Sequence, residues 1–183
     1  MSPILGIWAS GQQLANLPTS FDSIATVTGA GSIQFASIPQ TYTHLQIRAL
    51  VKTTSGSVDN SIIRFNSDST SGHYYHHYLQ GNGSSATAGA LINSNSSCII
   101  TGYTPASGST SIFSTMVIDI LDYANTNKYK TVRISSGFDA NGSGYVGLYS
   151  GVWLFTNAIT TIDFAGYAAA LNTTTTAALY GIK

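Results

Sequence analysis

Apolar and polar residues alternate along most of this chain, and this alternation is the feature that most limits its fold. In the stretch H-L-Q-I-R-A-L-V-K, one face of an extended strand would carry Leu45, Ile47, Ala49 and Val51, with polar residues between them. A period of two is typical of a β-strand that buries one face. No stretch combines a sustained 3.6-residue period with helix caps. The sequence therefore predicts an all-β protein.

Further strands are predicted between clusters of Gly, Ser, Asn, Asp and Thr, which suit turns. They cover residues 22–28, 31–36, 61–66, 73–80, 97–102, 111–123, 129–137, 144–155, 159–165 and 176–182. Asn141-Gly142 predicts a two-residue hairpin, because Asn-Gly tolerates the positive φ of a type I′ turn, and Asn82-Gly83 is a second candidate. About ten strands without a required helix favour an antiparallel β-sandwich that is jelly-roll-like.

The first twenty residues differ from the rest. A chain of 183 residues is long enough for one domain with its own core. Its opening segment is apolar but shows neither alternation nor helical spacing. We therefore expect an N-terminal docking arm at 1–20 and a single sandwich domain at 21–183. The arm would dock on a neighbouring subunit or fold back on its own sandwich. Its docking residues would be Ile4, Leu5, Ile7 and Trp8.

Low charge constrains the partners of this chain. Charged residues make up 8% of it, against about 25% in average soluble proteins, and seven basic residues balance seven acidic ones. A surface near zero net charge tends to associate, so we expect a homo-oligomer, with a trimer favoured. The basic residues are too few and scattered to follow a phosphate backbone, so no nucleic-acid partner is expected. The densest basic segment, K-Y-K-T-V-R, alternates like a solvated strand face.

The single cysteine and the opening segment indicate the compartment. Cys98 cannot form an intrachain disulfide, and its apolar surroundings C-I-I suit a buried, inert thiol. The opening segment has no basic region, and its apolar stretch is too short for a signal peptide. No segment approaches the ~20 apolar residues of a membrane helix. We expect synthesis in a reducing cytoplasm and no membrane partner.

The stretch H-Y-Y-H-H-Y-L at 73–79 holds three of the four histidines. As a strand, its two faces separate the ring residues, and one face would carry Tyr74, His76 and Tyr78. On the other face, His73 and His77 would lie about 13 Å apart, too far to ligate one zinc ion. No intrachain metal site is expected, although three copies of one histidine on a threefold axis remain an open alternative. The stretch is expected to pack or to line an interface.

The stretch G-Y-V-G-L-Y-S-G-V-W-L-F at 144–155 pairs an aliphatic face with an aromatic one. The aliphatic face suits the sandwich core and comprises Val146, Leu148, Val152 and Leu154. On the opposite face, rings alternate with glycines. Such rings can fill the gaps that strand glycines leave, or they can form a platform for subunit contact or sugar stacking. The platform would comprise Tyr145, Tyr149, Trp153, Tyr74, His76 and Tyr78.

No enzyme signature is present. The sequence contains no G-x-S-x-G nucleophile elbow, no G-K-S/T phosphate loop and no H-E-x-x-H metal motif. Asp119 interrupts an apolar run, and because a buried carboxylate requires a partner, we expect it to pair with Arg48, with Arg133 or with backbone donors. We therefore expect a non-enzymatic protein without catalytic residues, metal ligands or cofactors.

Several stretches resemble small structural proteins of tailed bacteriophages, especially those that infect cyanobacteria and other aquatic bacteria. They are M-S-P-I-L-G-I-W-A-S, F-D-S-I-A-T-V, S-I-Q-F-A-S-I-P-Q-T-Y-T-H-L-Q-I-R, I-I-R-F-N-S-D, V-I-D-I-L-D-Y-A-N-T-N-K-Y-K-T-V-R and A-L-Y-G-I-K. The resemblance spans the chain and includes no catalytic motif. It implies a β-sandwich in a virion, as a tail-fibre-like or head decoration protein. Its partners would be other virion proteins and often copies of itself.

An alternative from another class is a carbohydrate-binding module. In that case Tyr145, Tyr149 and Trp153 would contact host surface polysaccharide. The module requires rings that are exposed on the monomer, whereas an assembly protein would bury them against its neighbours. The two functions can coexist in one virion protein.

Overall fold

The computed structural model describes residues 20–91 and 97–183, which form eleven β-strands and no helix. The strands are β1 (Phe21–Phe35), β2 (His44–Val51), β3 (Asp59–Phe65), β4 (Tyr74–Gly81), β5 (Ala86–Leu91), β6 (Ile99–Thr104), β7 (Ser114–Leu121), β8 (Lys130–Asp139), β9 (Gly144–Trp153), β10 (Ile162–Gly166) and β11 (Leu171–Ile182).

The long strand β1 belongs to two sheets. Its first part, from Phe21 to Gly29, pairs with β11, and its last part, from Ser32 to Phe35, pairs with β10. The register shifts between Gly29 and Gly31, where Gly31 has a φ of 79°. Glycine adopts this left-handed conformation without steric cost. The glycines thus allow one strand to bend from the large sheet into the small one.

The large sheet has the strand order β5-β4-β9-β8-β7-β2-β11-β1, and the small sheet has the order β1-β10-β3-β6. All strand pairs are antiparallel, and β6 packs over β8 and β9. The chain is wound so that β2 pairs with β11, β3 with β10 and β4 with β9, a nested order in the jelly-roll manner. The predicted all-β sandwich is confirmed.

Alternating side chains of both sheets build the core. In β2, every second residue from Leu45 to Val51 is buried, as its sequence pattern predicts, and the residues between them face outward. The facing layer comes from β3 and β10, where Phe65 and Phe164 are fully buried. Burying a side chain of this size contributes about 1.5–3 kcal/mol. The core thus lies between the middle of the large sheet and the small sheet.

Two hairpins form where the sequence predicts them. Asn141 and Gly142 both have positive φ, and Ala140 N donates a hydrogen bond of 2.7 Å to Ser143 O. These features define the tight turn between β8 and β9. In the turn between β4 and β5, the Asn82 side chain accepts hydrogen bonds from the backbone N–H groups that follow it.

Two strand assignments differ from prediction. The segments predicted at 22–28 and 31–36 form one bent strand, because the glycines between them continue the pairing. Strand β5 was not predicted, since A-T-A-G-A-L lacks the branched and aromatic residues that favour strands. The predicted arm at 1–20 lies outside the described residues except for Ser20. So do its docking residues Ile4, Leu5, Ile7 and Trp8.

Candidate interaction surface

Strand β9 carries its aromatic residues inside the sandwich and its aliphatic residues outside. Tyr149 and Trp153 are buried, whereas Val146 and Leu148 are 66% and 55% exposed. This is the reverse of the sequence prediction. The face predicted to enter the core, which comprised Val146, Leu148, Val152 and Leu154, is not the core face.

Glycines decide which face of β9 is inside. A Cβ atom at Gly151 would lie 2.8 Å from Ile99 Cγ2 on the opposing small sheet, so this position has no room for a side chain. At Gly147, a Cβ atom would lie 2.6 Å from Cε2 of Tyr149, whose ring covers the gap. Ring packing over strand glycines is the structural role that the sequence offered for this face. That interpretation is confirmed.

Asp68 holds the polar end of Trp153, a role that sequence analysis missed because D-S-T-S-G resembles an ordinary loop. Its carboxylate accepts hydrogen bonds from Trp153 Nε1 at 2.7 Å, His73 Nδ1 at 2.8 Å and Thr70 N at 3.0 Å. Burial raises the pKa of Asp68, but these hydrogen bonds outweigh it and lower the pKa to about 2. Asp68 is therefore ionised and fixes the loop before β4 to the end of β9.

The predicted aromatic platform is wrong as an exposed surface. Tyr78 and Tyr145 are half-buried. The other four residues, Tyr74, His76, Tyr149 and Trp153, are buried within the chain itself. A sugar ring or a neighbouring subunit cannot stack on rings that the sandwich already covers. The strand faces of the 73–79 stretch are nevertheless as predicted, with Tyr74 and His76 sharing the inner face.

His76 is buried, and no residue in the described part of the chain is its hydrogen-bond partner. Neither ring nitrogen makes a hydrogen bond to any described residue, and the side chain is 1% exposed. Leu91 and Gly151 lie opposite it on the adjoining strands. Burial lowers the pKa of His76 to about 4, with a further contribution from His77. The imidazole is therefore neutral at pH 7, and its desolvation is not offset by hydrogen bonds.

Five exposed aliphatic residues lie in two groups on the outer face of the large sheet, and together we call them the aliphatic strip. Leu79 of β4 lies directly opposite Leu148 of β9, and Val146 follows two residues away on the same face. The other two residues lie on β7 and β2, and Ser135 of β8 separates them from the first group. The strip consists of Leu79, Val146, Leu148, Val117 and Leu50.

The charges on this outer face are few and partly engaged. Gln46 links two of them, since its Nε2 donates to Asp119 at 2.7 Å and its Oε1 accepts from Arg48 at 2.8 Å. The Arg48 guanidinium also lies over the rings of Phe21 and Tyr180. The predicted direct pairing of Asp119 with Arg48 is therefore wrong, because the Gln46 amide lies between them. Arg133 lies opposite Asp119 on β8, but within residues 20–91 and 97–183 the two side chains form no ion pair.

Lys130 contradicts the predicted solvated face of K-Y-K-T-V-R. Its side chain is fully buried, and its Nζ donates to the backbone carbonyls of Asn125, Lys128 and Thr156. Burial lowers its pKa. The ammonium thus joins the loop before β8 to the segment after β9. A buried lysine in this role has no signal in a single sequence.

A recess of about 700 Å³ opens in the outer face beside the strip. Gly81 and Gly137 lie on either side of Val146 in the pairing, and the missing side chain of Gly81 leaves space in the outer layer. The rim comes from the β4–β5 and β8–β9 turns, which contribute Asn82 and Ser143. A smaller cleft of about 170 Å³ adjoins it and shares three lining residues with it.

Comparisons with known proteins do not assign the chain to a family. No family model matches the chain, and no curated protein matches it. Within residues 20–91 and 97–183, no three His, Cys, Asp or Glu side chains cluster as metal ligands. The same part of the chain contains no helix of the length and apolarity needed to span a membrane.

Proposed function

We propose that this protein is a non-enzymatic structural component of a bacteriophage virion, in the tail or fibre or as a head decoration, and that it self-associates through the outer face of its large sheet. The observation that carries self-association is the aliphatic strip. Leu79, Val146 and Leu148 form a contiguous exposed apolar group, and such a patch is typical of interaction sites when polar residues surround it. The bacteriophage assignment draws on the sequence resemblance.

The area of the outer face of the large sheet is consistent with contact to a second copy of this chain. Neighbouring strands lie about 4.8 Å apart, so the eight strands of the large sheet span about 34 Å. With about 20 Å of exposed length along each strand, the face offers roughly 700 Å². A standard interface takes about 800 Å² from each partner. One flat face of this sheet is therefore close to the area that a stable pair requires.

Symmetry makes the proposal more specific. When the same patch meets itself on two subunits, the contact has a twofold axis. Contact of strip with strip therefore gives a dimer. The trimer favoured by the sequence requires the strip to meet a different surface of its neighbour. The mass of the assembly distinguishes these two arrangements.

Mass spectrometry of purified particles of the phage that encodes this chain tests virion membership. We expect peptides of this protein at a fixed, multiple copy number per particle, and gold-labelled antibody at one position in electron micrographs. Particles that contain none of the protein would contradict the proposal. A comparison with infected-cell lysate controls for poor peptide detection, because the same peptides must be seen there.

Carbohydrate binding at the residues predicted from the sequence is not supported. It relied on Tyr145, Tyr149 and Trp153 as an exposed platform, and the last two are buried. Binding of sugar by this protein would need a different site.

A further inference from the structure

A small cleft lies at one end of the sandwich, between the β4–β5 hairpin and the neighbouring ends of β6 and β9. Its volume is about 170 Å³. Pockets that enclose drug-sized ligands measure ~300–1,000 Å³, so this cleft suits a single ring. The lining residues are Gln80, Gly81, Asn82, Ser85, Thr87, Tyr103 and Tyr145.

Two tyrosine rings form the apolar part of the cleft. The ring centroids of Tyr103 and Tyr145 lie 4.3 Å apart, and both side chains are half-buried. Phe138 supports them, with its centroid 5.9 Å from that of Tyr145. Tyrosine rings combine an apolar face with a hydroxyl group, which suits a ligand that is apolar on one face and polar at its edge. Tyr145 is also one of the two predicted platform residues that are only half-buried.

The polar groups of the cleft are uncharged, and several of them have hydrogen-bonding capacity that no described residue satisfies. Gln80 Nε2 is 3.5 Å from the Tyr103 hydroxyl, and its Oε1 accepts from the Tyr149 hydroxyl at 3.3 Å, both long for hydrogen bonds. The Thr87 hydroxyl and the Asn82 Nδ2 amide make no hydrogen bond to described residues, whereas Asn82 Oδ1 is engaged in the turn. These groups provide donors and acceptors for a ligand that carries several hydroxyls.

We propose that this cleft binds one ring of a neutral sugar. A pyranose presents an apolar C–H face to a tyrosine ring and hydroxyls to amide and hydroxyl groups. Among residues 20–91 and 97–183, no lysine, arginine, aspartate or glutamate lines the cleft. An anionic ligand would therefore lose its hydration without gaining an ion pair, which disfavours it.

The neighbouring recess extends the site to an oligosaccharide. Cleft and recess share Gly81, Asn82 and Tyr145, and Gly81 provides no side chain to divide them. With about 700 Å³, the recess has room for further sugar rings. Its walls include the hydroxyl residues Thr115 and Ser135. The ring in the cleft would anchor the chain, and the next rings would lie along the outer face.

An array of neutral glucose, galactose, mannose and N-acetylglucosamine oligosaccharides, with sialylated and sulfated glycans for comparison, tests the proposal on the full chain. We expect at least one neutral oligosaccharide to bind. In an NMR titration with that sugar, the backbone amides of Gln80, Thr87 and Tyr103 should shift. Absence of binding to every glycan, or binding only to acidic glycans, overturns the proposal.

Two variants localise the binding to the cleft. Gln80→Ala removes the central amide, and Thr87→Trp fills the cleft from an exposed edge-strand position where the larger side chain does not enter the core. Each should weaken binding at least tenfold, and Thr87→Trp should leave the melting temperature unchanged. Tyr167→Ala, at an exposed tyrosine outside the cleft lining, is the matched control and should bind normally. Unchanged binding by both cleft variants would overturn the assignment.

Binding of the ring in the cleft is independent of self-association, because no strip residue lines the cleft, whereas Val117 and Val146 of the strip line the recess. Leu148→Ser alters the aliphatic strip but does not line the cleft. This variant should keep its sugar affinity per subunit even if it is monomeric.

Discussion

The two faces of the large sheet carry different kinds of apolar residue. On the inner face, β4 and β9 contribute Tyr74, Tyr149 and Trp153, and on the outer face the same strands contribute Leu79, Val146 and Leu148. Each of these three inner rings has a polar atom that hydrogen-bonds within the protein, such as the Trp153 indole to Asp68. The outer side chains have no polar atoms to satisfy.

This difference shows why the aliphatic residues are the ones available for contact. Aromatic residues are enriched at interfaces because they combine apolar area with a polar atom, but here internal partners and inner-face glycines hold those rings inside. Aliphatic side chains bury area without requiring a hydrogen-bond partner, so a second apolar surface can cover them at little cost. The inner face therefore determines folding, and the outer face is suited to association.

Trp153→Ala should produce the largest loss on the inner face. Truncation of a buried aromatic residue costs about 3–5 kcal/mol, and here Asp68 also loses a hydrogen-bond donor. Urea denaturation should show this loss in the free energy of unfolding. Tyr129→Ala, at an exposed ring, should change it by less than about 0.5 kcal/mol. Equal effects of the two variants would contradict the burial of Trp153.

His76 should make the protein sensitive to mild acid. Its pKa is about 4 in the folded state and 6.5 in the unfolded state, so the unfolded state binds more protons between these values. Its contribution to stability is complete above pH 6.5 and is lost as the pH falls through 4, by about 3 kcal/mol in total. Urea denaturation at pH 7.5 and pH 4.5 measures this change.

A leucine at this position provides the control for acid sensitivity. His76→Leu should flatten the pH dependence and should not reduce stability at pH 7, because it replaces an unpartnered polar ring. His77→Leu, at the exposed neighbour, should retain the pH dependence. If His76→Leu keeps the full acid sensitivity, the buried imidazole is not its source.

Gly151→Val tests the packing of the small sheet on β9. Because a Cβ atom there would lie 2.8 Å from Ile99, the valine should cost about 1–3 kcal/mol through overpacking. Gly108→Ala, at a position with open space around it, is the control and should be nearly neutral. A tolerated valine would mean that β6 does not lie over this part of the sheet.

Leu148→Ser should have the smallest effect on folding. The side chain is more than half exposed in the monomer, so the free energy of unfolding of an isolated subunit should change by less than about 0.5 kcal/mol. Ile134→Ser, at a fully buried position of neighbouring β8, should be strongly destabilising. Both can be measured by urea denaturation at a protein concentration low enough to keep the chain monomeric. A large loss for Leu148→Ser would place this residue in the core.

Alternation was enough to predict most strands, because a period of two marks a half-buried strand whatever its neighbours are. Strand β2 and the Asn141-Gly142 turn are examples in which local sequence determines local structure. Strand β5 was missed because its formation depends on pairing with β4 and not on its own composition.

Alternation could not tell which face of β9 is inside, since both faces are apolar. That choice depends on distant residues, namely Ile99 above Gly151 and Asp68 beside Trp153. One local signal was available. Glycines that repeat between rings leave space that a neighbouring ring or an opposing layer fills, as Tyr149 and Ile99 do here, so this pattern indicates the interior face. The aliphatic strip then follows directly.

Native mass spectrometry of the full chain and of a Val146→Ser/Leu148→Ser double variant tests the central claim most directly. The account predicts an oligomer for the wild type at micromolar concentration and a folded monomer for the variant. Thr131→Ser, on the same outer face but outside the strip, should remain oligomeric. A monomeric wild type, or a double variant that assembles like the wild type, would contradict the claim that the aliphatic strip joins copies of this protein.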